Sequence, residues 1–405
     1  MIRKSDLLAV VEQQQAKLNL QRSYPRRALA NLRLLPDFAL IVSGIRRCGK
    51  STLLAQLLAK QTSEVLFINF DTPTLFNFDF NDFPLLDEII QEKQAKILFF
   101  DEIQIIENWE IYVRGKLDQG YQVVATGSNA SLLSRELGTK LTGRHITKEL
   151  FPFSYIEFCE YLDKPFNATS VKEYLTQGGF PQYLALQEKD ILIMLLNDIL
   201  YRDIVVRYGI RDETGIKQLL LFLAGNVGNL ISATKLKQSI QVKSTATVQE
   251  YLSHLEQSYL IHLLPKFSYS YKSQLVNPRK IYFIDNGLQQ VIKPTFTDDW
   301  GRKLENAVFW ALRQKSQELY YFNENNQECD FVFCQNNTPT QVVQVCLELN
   351  AENLRREQNG LINAMDYFNL EQGYIITLDQ TDKILIDNKV IHILPFYSDW
   401  LAHFN

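Results

Sequence analysis

Gly44-Ile45-Arg46-Arg47-Cys48-Gly49-Lys50-Ser51 has the G-x-x-x-x-G-K-[ST] spacing of a phosphate loop. Its glycines let the backbone curl so that successive N–H groups point at phosphate oxygens, and a helix starting there adds partial positive charge. Lys50 brings a mobile point charge to the β- and γ-phosphates, and the Ser51 hydroxyl is suited to ligate Mg²⁺. Arg46, Arg47, Cys48 and Thr52 complete the stretch expected to line the phosphates. A ligand-free glycine turn is the plain alternative. The apolar strand Phe38–Val42 before the motif and the helical run Thr52–Lys60 after it supply the context in which such a loop holds a nucleotide.

A second group of residues has matching chemistry. The apolar run Ile97-Leu98-Phe99-Phe100 ends in Asp101-Glu102. Asp101 is expected in the Mg²⁺ shell through water, and Glu102, facing the other way, as the base that polarises the attacking water. Solvation of a strand end is the alternative reading of such a pair. The next apolar run ends Ala125-Thr126-Gly127-Ser128-Asn129. Ser128 and Asn129 are placed to reach the γ-phosphate or the water, or to cap a helix starting near Ala130. Arg144, in Leu141-Thr142-Gly143-Arg144, suits a finger that neutralises charge on the transferred phosphoryl group, the alternative being a surface arginine.

These residues need a scaffold. Short apolar runs at Phe38–Val42, Val65–Phe70, Ile97–Phe100, Gln122–Ala125 and His145–Leu150 alternate with helical patterns, which predicts an α/β fold with a parallel sheet. A polar helix over residues 5–19 precedes it, and residues 151–231 read as helical, interrupted by Gly178-Gly179-Phe180-Pro181. Residues 232–284 read as two short helices and a hairpin, and the remainder returns to mixed α/β. The expected division is 1–37, 38–150, 151–231, 232–292 and 293–405.

Composition narrows the class. The 405 residues are 46% hydrophobic with a net charge of −4, which speaks against a chain coated in nucleic acid while leaving room for a local basic patch. The charged start and the lack of any apolar run near the ~20 residues of a membrane helix predict a cytoplasmic chain with no membrane partner. Five cysteines without a C-x-x-C pair predict thiols in a reducing compartment.

The phosphate loop, Asp101-Glu102-Ile103-Gln104, Thr126-Gly127-Ser128, Leu141-Thr142-Gly143-Arg144 and Gly178-Gly179-Phe180-Pro181 together resemble the prokaryotic AAA-superfamily ATPases, akin to archaeal and origin-recognition ATPases, that carry a C-terminal domain of unknown function. The resemblance implies a P-loop NTPase of the additional-strand, catalytic-Glu type, a helical lid, a winged helix and a smaller α/β tail, with ATP and Mg²⁺ as cofactors. It supports Glu102 as base and Arg144 as finger, and it suggests a homo-oligomer with the site shared between neighbours.

Two further expectations follow. The segment 232–284 carries seven Lys/Arg (235, 237, 243, 266, 272, 279, 280) against two acids (250, 256). With a capping box expected at Thr247–Glu250, basic residues on its first helix and wing suit DNA phosphates, and Ser244, Thr245 and Gln249 could face a groove. A lid that packs on the ATPase core is the alternative. The tail resembles a PD-(D/E)xK nuclease core, with Glu305 on a helix and Asp330 and Gln344 on successive strands. Cys346 stands where that pattern has lysine, and no lysine occurs between 317 and 382, so a nuclease-like fold that does not cut is expected. The functional readings are therefore a nucleotide-driven switch acting on DNA, a nucleotide-gated switch for an unknown protein partner, and an ATP-regulated nuclease.

Overall fold

The computed structural model describes residues 2–20, 24–130, 139–240, 242–292, 299–325 and 327–404. The chain forms two compact units: Met1–Phe151 with Gln257–Tyr259, and Pro152–Glu256 with Leu260–Asn405.

The first unit is built on five parallel strands: β1 (Ala39–Ser43), β2 (Val65–Asn69), β3 (Ile97–Asp101), β4 (Gln122–Gly127) and β5 (His145–Glu149). These are the five apolar runs of the sequence, shifted by a residue or two at their ends. Their order is β2-β3-β4-β1-β5. Because β4 lies between β1 and β3, the strand carrying Asp101 is not adjacent to the strand feeding the phosphate loop. This is the expected additional-strand form of the P-loop NTPase fold. Helices α1 (Lys4–Leu20), α2 (Lys50–Leu58), α3 (Phe83–Glu92) and α4 (Trp109–Asp118) cover the sheet. One core joins Ile41, Ile68, Leu98, Phe100 and Ala125 of the strands to Leu86, Ile89 and Val113 of the helices.

Helix α1 has a second task beyond burying Leu7, Val10 and Val11. Strand β2 is an edge, whose unpaired backbone groups need partners. The Gln14 side chain accepts from the Asn69 N–H at 2.7 Å and donates to its carbonyl at 3.1 Å, and Gln15 donates to the Val65 carbonyl at 2.9 Å. Two amides thus close the open edge, which explains why the helix reads as polar.

The second unit opens with α5 (Tyr155–Leu162), α6 (Ala168–Gln177), α7 (Pro181–Leu186), α8 (Asp190–Asn197), a π-helical segment (Asp198–Val206) and α9 (Glu213–Ala224). The break at Gly178-Gly179 has a steric cause. Gly178 sits at φ +75°, and a Cβ there would fall 2.1 Å from an Asp285 carboxylate oxygen. Asp285 accepts the Gly179 N–H at 2.6 Å and the Leu288 N–H at 2.9 Å, tying the turn to α13 (Asn286–Ile292).

Next come β6 (Leu230–Ile231), α10 (Ala233–Ser239), α11 (Thr245–Gln257), β7 (Ile261–Leu264), α12 (Tyr271–Val276) and β8 (Arg279–Phe283), the strands ordered β6-β8-β7. Two expectations change here. The helix expected from a box at Thr247 begins at Thr245, because the Ser244 hydroxyl accepts the Thr247 N–H at 3.0 Å and caps it earlier. Ser244 is therefore spent on the cap. The connection expected to be a polar wing holds the short helix α12.

The tail has a six-stranded sheet, β13-β14-β12-β11-β10-β9, from β9 (Leu319–Glu324), β10 (Gln327–Gln335), β11 (Thr338–Val345), β12 (Gln372–Thr377), β13 (Asp382–Ile386) and β14 (Lys389–Pro395). Helices α14 (Trp300–Arg313) and α15 (Leu354–Phe368) pack on it. Among the described residues no helix is long and apolar enough to cross a membrane, and all five cysteines are unpaired thiols.

Candidate active site

Parallel strands bring their carboxyl ends to one edge, where the chemistry gathers. Beyond β1 the loop curls tightly: a Cβ on Gly44 would lie 2.0 Å from the Leu150 carbonyl oxygen, so only glycine fits. Gly49, at φ +104°, turns the chain into α2. The Lys50 ammonium is buried and lies 3.0 and 3.2 Å from the Gly44 and Ile45 carbonyls and 3.5 Å from the Glu102 carboxylate. Burial would lower its pKa, but Glu102 and its neighbours outweigh that and hold it above the ordinary lysine range. Burial pushes the Cys48 thiol up, and its Sγ donates to the Leu150 carbonyl at 3.3 Å. Arg46 pairs with Asp71 at 3.5 Å, and Arg47 takes a left-handed backbone at φ 61°. Thr52 lies in the first turn of α2.

At the end of β3, Asp101 accepts the Ser51 hydroxyl at 2.7 Å and the Asn69 amide at 2.9 Å, and the Thr126 hydroxyl donates to its other oxygen. The pairing of Ser51 with Asp101 puts hydroxyl and carboxylate together as an Mg²⁺ shell requires. Asp101 is fully buried; burial and the Glu102 charge push its pKa up.

Glu102 adopts a left-handed backbone, φ 54° and ψ 39°. That conformation is costly for a side-chain-bearing residue and clusters at functional sites. It is braced by the Glu102 N–H donating to the Thr126 hydroxyl at 3.0 Å. The Gln104 amide donates to the Glu102 carboxylate at 2.6 Å and to the Ser128 hydroxyl at 3.4 Å. Burial alone would raise the Glu102 pKa, but Lys50, the Gln104 hydrogen bond, Arg46 and Ser128 hold it below the usual range. An ionised carboxylate that keeps some access to water is what a base at this position requires.

Ser128 thus joins the site. Asn129 is buried nearby, its carbonyl accepting the Ser43 hydroxyl at 3.0 Å. The alternative reading of this pair, as caps for a helix starting near Ala130, concerns a segment that lies outside the described residues. Arg144 is not brought to the loop of its own chain. Its carbonyl accepts the Ala39 N–H, at the start of β1, whereas the loop leaves the far end of that strand. At about 3.3 Å per residue the strand separates them by roughly 13 Å. Its guanidinium pairs with Asp118 at 2.6 Å.

Four contributors carried no assigned role in the sequence. Asn69 and Thr126 are polar residues closing apolar runs, and Asn69 pairs in register with Asp101. Gln104 donates to Glu102. Arg26 had no sequence signal: its guanidinium donates to the Cys48 carbonyl at 2.6 Å and the Phe151 carbonyl at 2.9 Å, bracing the loop.

In the tail, Glu305, Asp330 and Gln344 converge on a cavity of about 450 Å³ that Glu328, Arg356 and Glu357 also line. Burial pushes the Glu305 carboxyl up to about 7. Cys346 follows β11 and turns aside, its Sγ donating to the Glu348 carbonyl at 3.2 Å, with its thiol pushed up to about 11, chiefly by burial. The expectation that Lys280 is a wing residue for DNA phosphates is overturned: it is buried and projects from β8 among these carboxylates.

Residues 37–159 match the AAA domain family, and residues 168–298 match a domain of unknown function, DUF8612. The uncharacterized protein MJ1544 of Methanocaldococcus jannaschii is 32% identical over 400 residues, spanning 91% of this chain and 89% of that one. An uncharacterized Haemophilus influenzae protein is 31% identical over 390 residues, spanning 90% and 94%. The crystal structure of Cdc6p from Pyrobaculum aerophilum is similar at 14% identity and a TM-score of 0.26, covering 72% of this chain and 96% of that one, a likeness too distant to bear on function. Relatedness at the level of the first two, over nearly the whole of each chain, makes this protein, with its AAA domain at residues 37–159, a member of the family to which the Methanocaldococcus and Haemophilus proteins belong.

Proposed function

We propose that this chain is an ATP-hydrolysing AAA switch, that its 232–292 segment is a winged helix engaging DNA, and that its tail is a nuclease-like fold that does not cut. The observation that carries the ATPase reading is the half-buried, ionised Glu102 beside Lys50, with Ser51 hydrogen-bonded to Asp101. When bound, Mg-ATP supplies the phosphoanhydride bond to be broken and the divalent ion that offsets its charge. Gly44 to Thr52 would hold the phosphates, and Ser51 and Asp101 the ion. Glu102 takes a proton from water, and Gln104 and Ser128 keep that carboxylate ionised and oriented. Arg144, too far from its own loop, acts on a neighbouring subunit in a homo-oligomer.

The test separates binding from turnover. Glu102→Gln should keep nucleotide affinity while kcat falls by about 10²-fold or more, and Lys50→Ala should lose tight binding. Normal turnover in Glu102→Gln would remove the base assignment and, with it, this reading.

A further inference from the structure

Lys280 binds three carboxylates at once. Its Nζ lies 2.8 Å from Asp330 Oδ1, 2.7 Å from Glu328 Oε1 and 3.2 Å from Glu305 Oε1. An ammonium has three donors, and each has an acceptor here. The acceptors are themselves held. Asp330 Oδ2 accepts the Val345 N–H at 2.9 Å, Glu305 Oε1 accepts the Tyr282 hydroxyl at 2.7 Å, and Glu328 Oε2 accepts the Asn323 amide at 3.2 Å. The lysine is fixed from its own side too, because β8 pairs Lys280 with Leu264 of β7 and Leu230 of β6. With 2% of its surface exposed, Lys280 is buried against three carboxylates, Glu305, Glu328 and Asp330, that line the cavity.

The nuclease-like pattern implies a divalent ion at this spot, and the residues present do not fit one. Hard divalent ions take carboxylate oxygens at about 2.0 to 2.6 Å. The oxygens stand farther out, at 2.7 to 3.2 Å around a nitrogen. Among the described residues no group of three His, Cys, Asp or Glu is arranged to hold a metal. A divalent ion would also have to expel the ammonium, leaving a buried positive charge unpaired.

We infer that Lys280 is the resident cation of this carboxylate cluster, taking the place of the divalent ion that Glu305, Glu328 and Asp330 would otherwise hold. The cation that β11 lacks is supplied from another sheet, and it occupies the carboxylate oxygens and offsets part of their charge instead of leaving them open to metal. The inference is independent of the ATPase reading, since it concerns other residues and needs no nucleotide.

The test is Mn²⁺ binding by the full-length chain without nucleotide, followed by electron paramagnetic resonance. Wild type should show no Mn²⁺ site that depends on Asp330. Lys280→Met, which keeps the stem and removes the charge, should gain one site, binding about tenfold or more tighter than any in wild type, and lose it again when Asp330→Asn is added. Wild-type binding that Asp330→Asn abolishes would overturn the inference, and so would a folded Lys280→Met without a gain. A second measurement uses the native chain alone. Acylation with an amine-reactive ester and peptide mass spectrometry should find Lys280 protected with and without millimolar Mn²⁺. Acylation of Lys280 switched on by Mn²⁺ would mean that the metal displaces it, which is the opposite of what is inferred.

Discussion

Glu102 shows how a single carboxylate is kept ionised in a half-buried place. Burial favours its neutral form, and the Lys50 charge and Gln104 amide reverse that preference. Gln104 is thus a positioning residue whose effect is readable. Gln104→Leu should leave nucleotide affinity in place, reduce kcat by about tenfold, and raise the Glu102 pKa, moving the acid limb of the kcat–pH profile upward. A lower kcat with an unmoved limb would mean that Gln104 only packs. Arg144 carries a different prediction, because its own loop is out of reach. Lys50→Ala and Arg144→Ala proteins should each be inactive, and co-assembled mixtures should recover hydrolysis through composite sites. Mixtures that co-assemble and stay inactive would rule out Arg144 acting across subunits.

At the scale of elements, the turn Gly178–Pro181 shows how one buried acid can set a junction. Asp285 takes N–H groups from Gly179 and Leu288, and a methyl group on Gly178 would strike its carboxylate. Burial nonetheless pushes its pKa up to about 6, against the pull of those N–H donors. A folded-state pKa above the unfolded value of roughly 4 means that the stabilising contribution is complete below pH ~4 and is lost as pH rises through 6. Glu305, pushed up to about 7, adds loss in the same direction. Unfolding free energy from urea titrations should therefore decline by a few kcal/mol between pH ~4 and ~7, and Asp285→Asn should flatten the lower part of that decline. An identical slope in wild type and Asp285→Asn would refute the assignment.

Across the whole molecule, the basic excess of residues 232–284 is smaller than composition suggested. Lys280 is consumed by three carboxylates, and Lys266 pairs with Glu324 at 2.9 Å. Lys235, Lys237, Lys243 and Lys272 stay exposed. If DNA binds here, replacing Lys235, Lys237 and Lys272 by Gln together should flatten the dependence of log K on log salt by about two to three phosphate contacts. Binding unchanged in slope and strength would place the DNA site elsewhere.

What the sequence determined by itself was the chemistry that is local in the chain. The phosphate loop, the strand-ending Asp101-Glu102 and Ser128 were legible because a buried strand must be apolar until it emerges, so polar residues at its end announce a site. The five strands were legible for the same reason. Tertiary structure decided whatever depends on pairing between distant segments. Arg26 reaches the loop from a connection with no pattern of its own, and the pairing of β5 with β1 holds Arg144 at the end away from the site its motif suggested. Lys280 pairs with carboxylates carried by another sheet and its helix. A lysine reads as a surface charge in any sequence, and only when α14 and β10 fold carboxylates around it does burial become the lower-energy state.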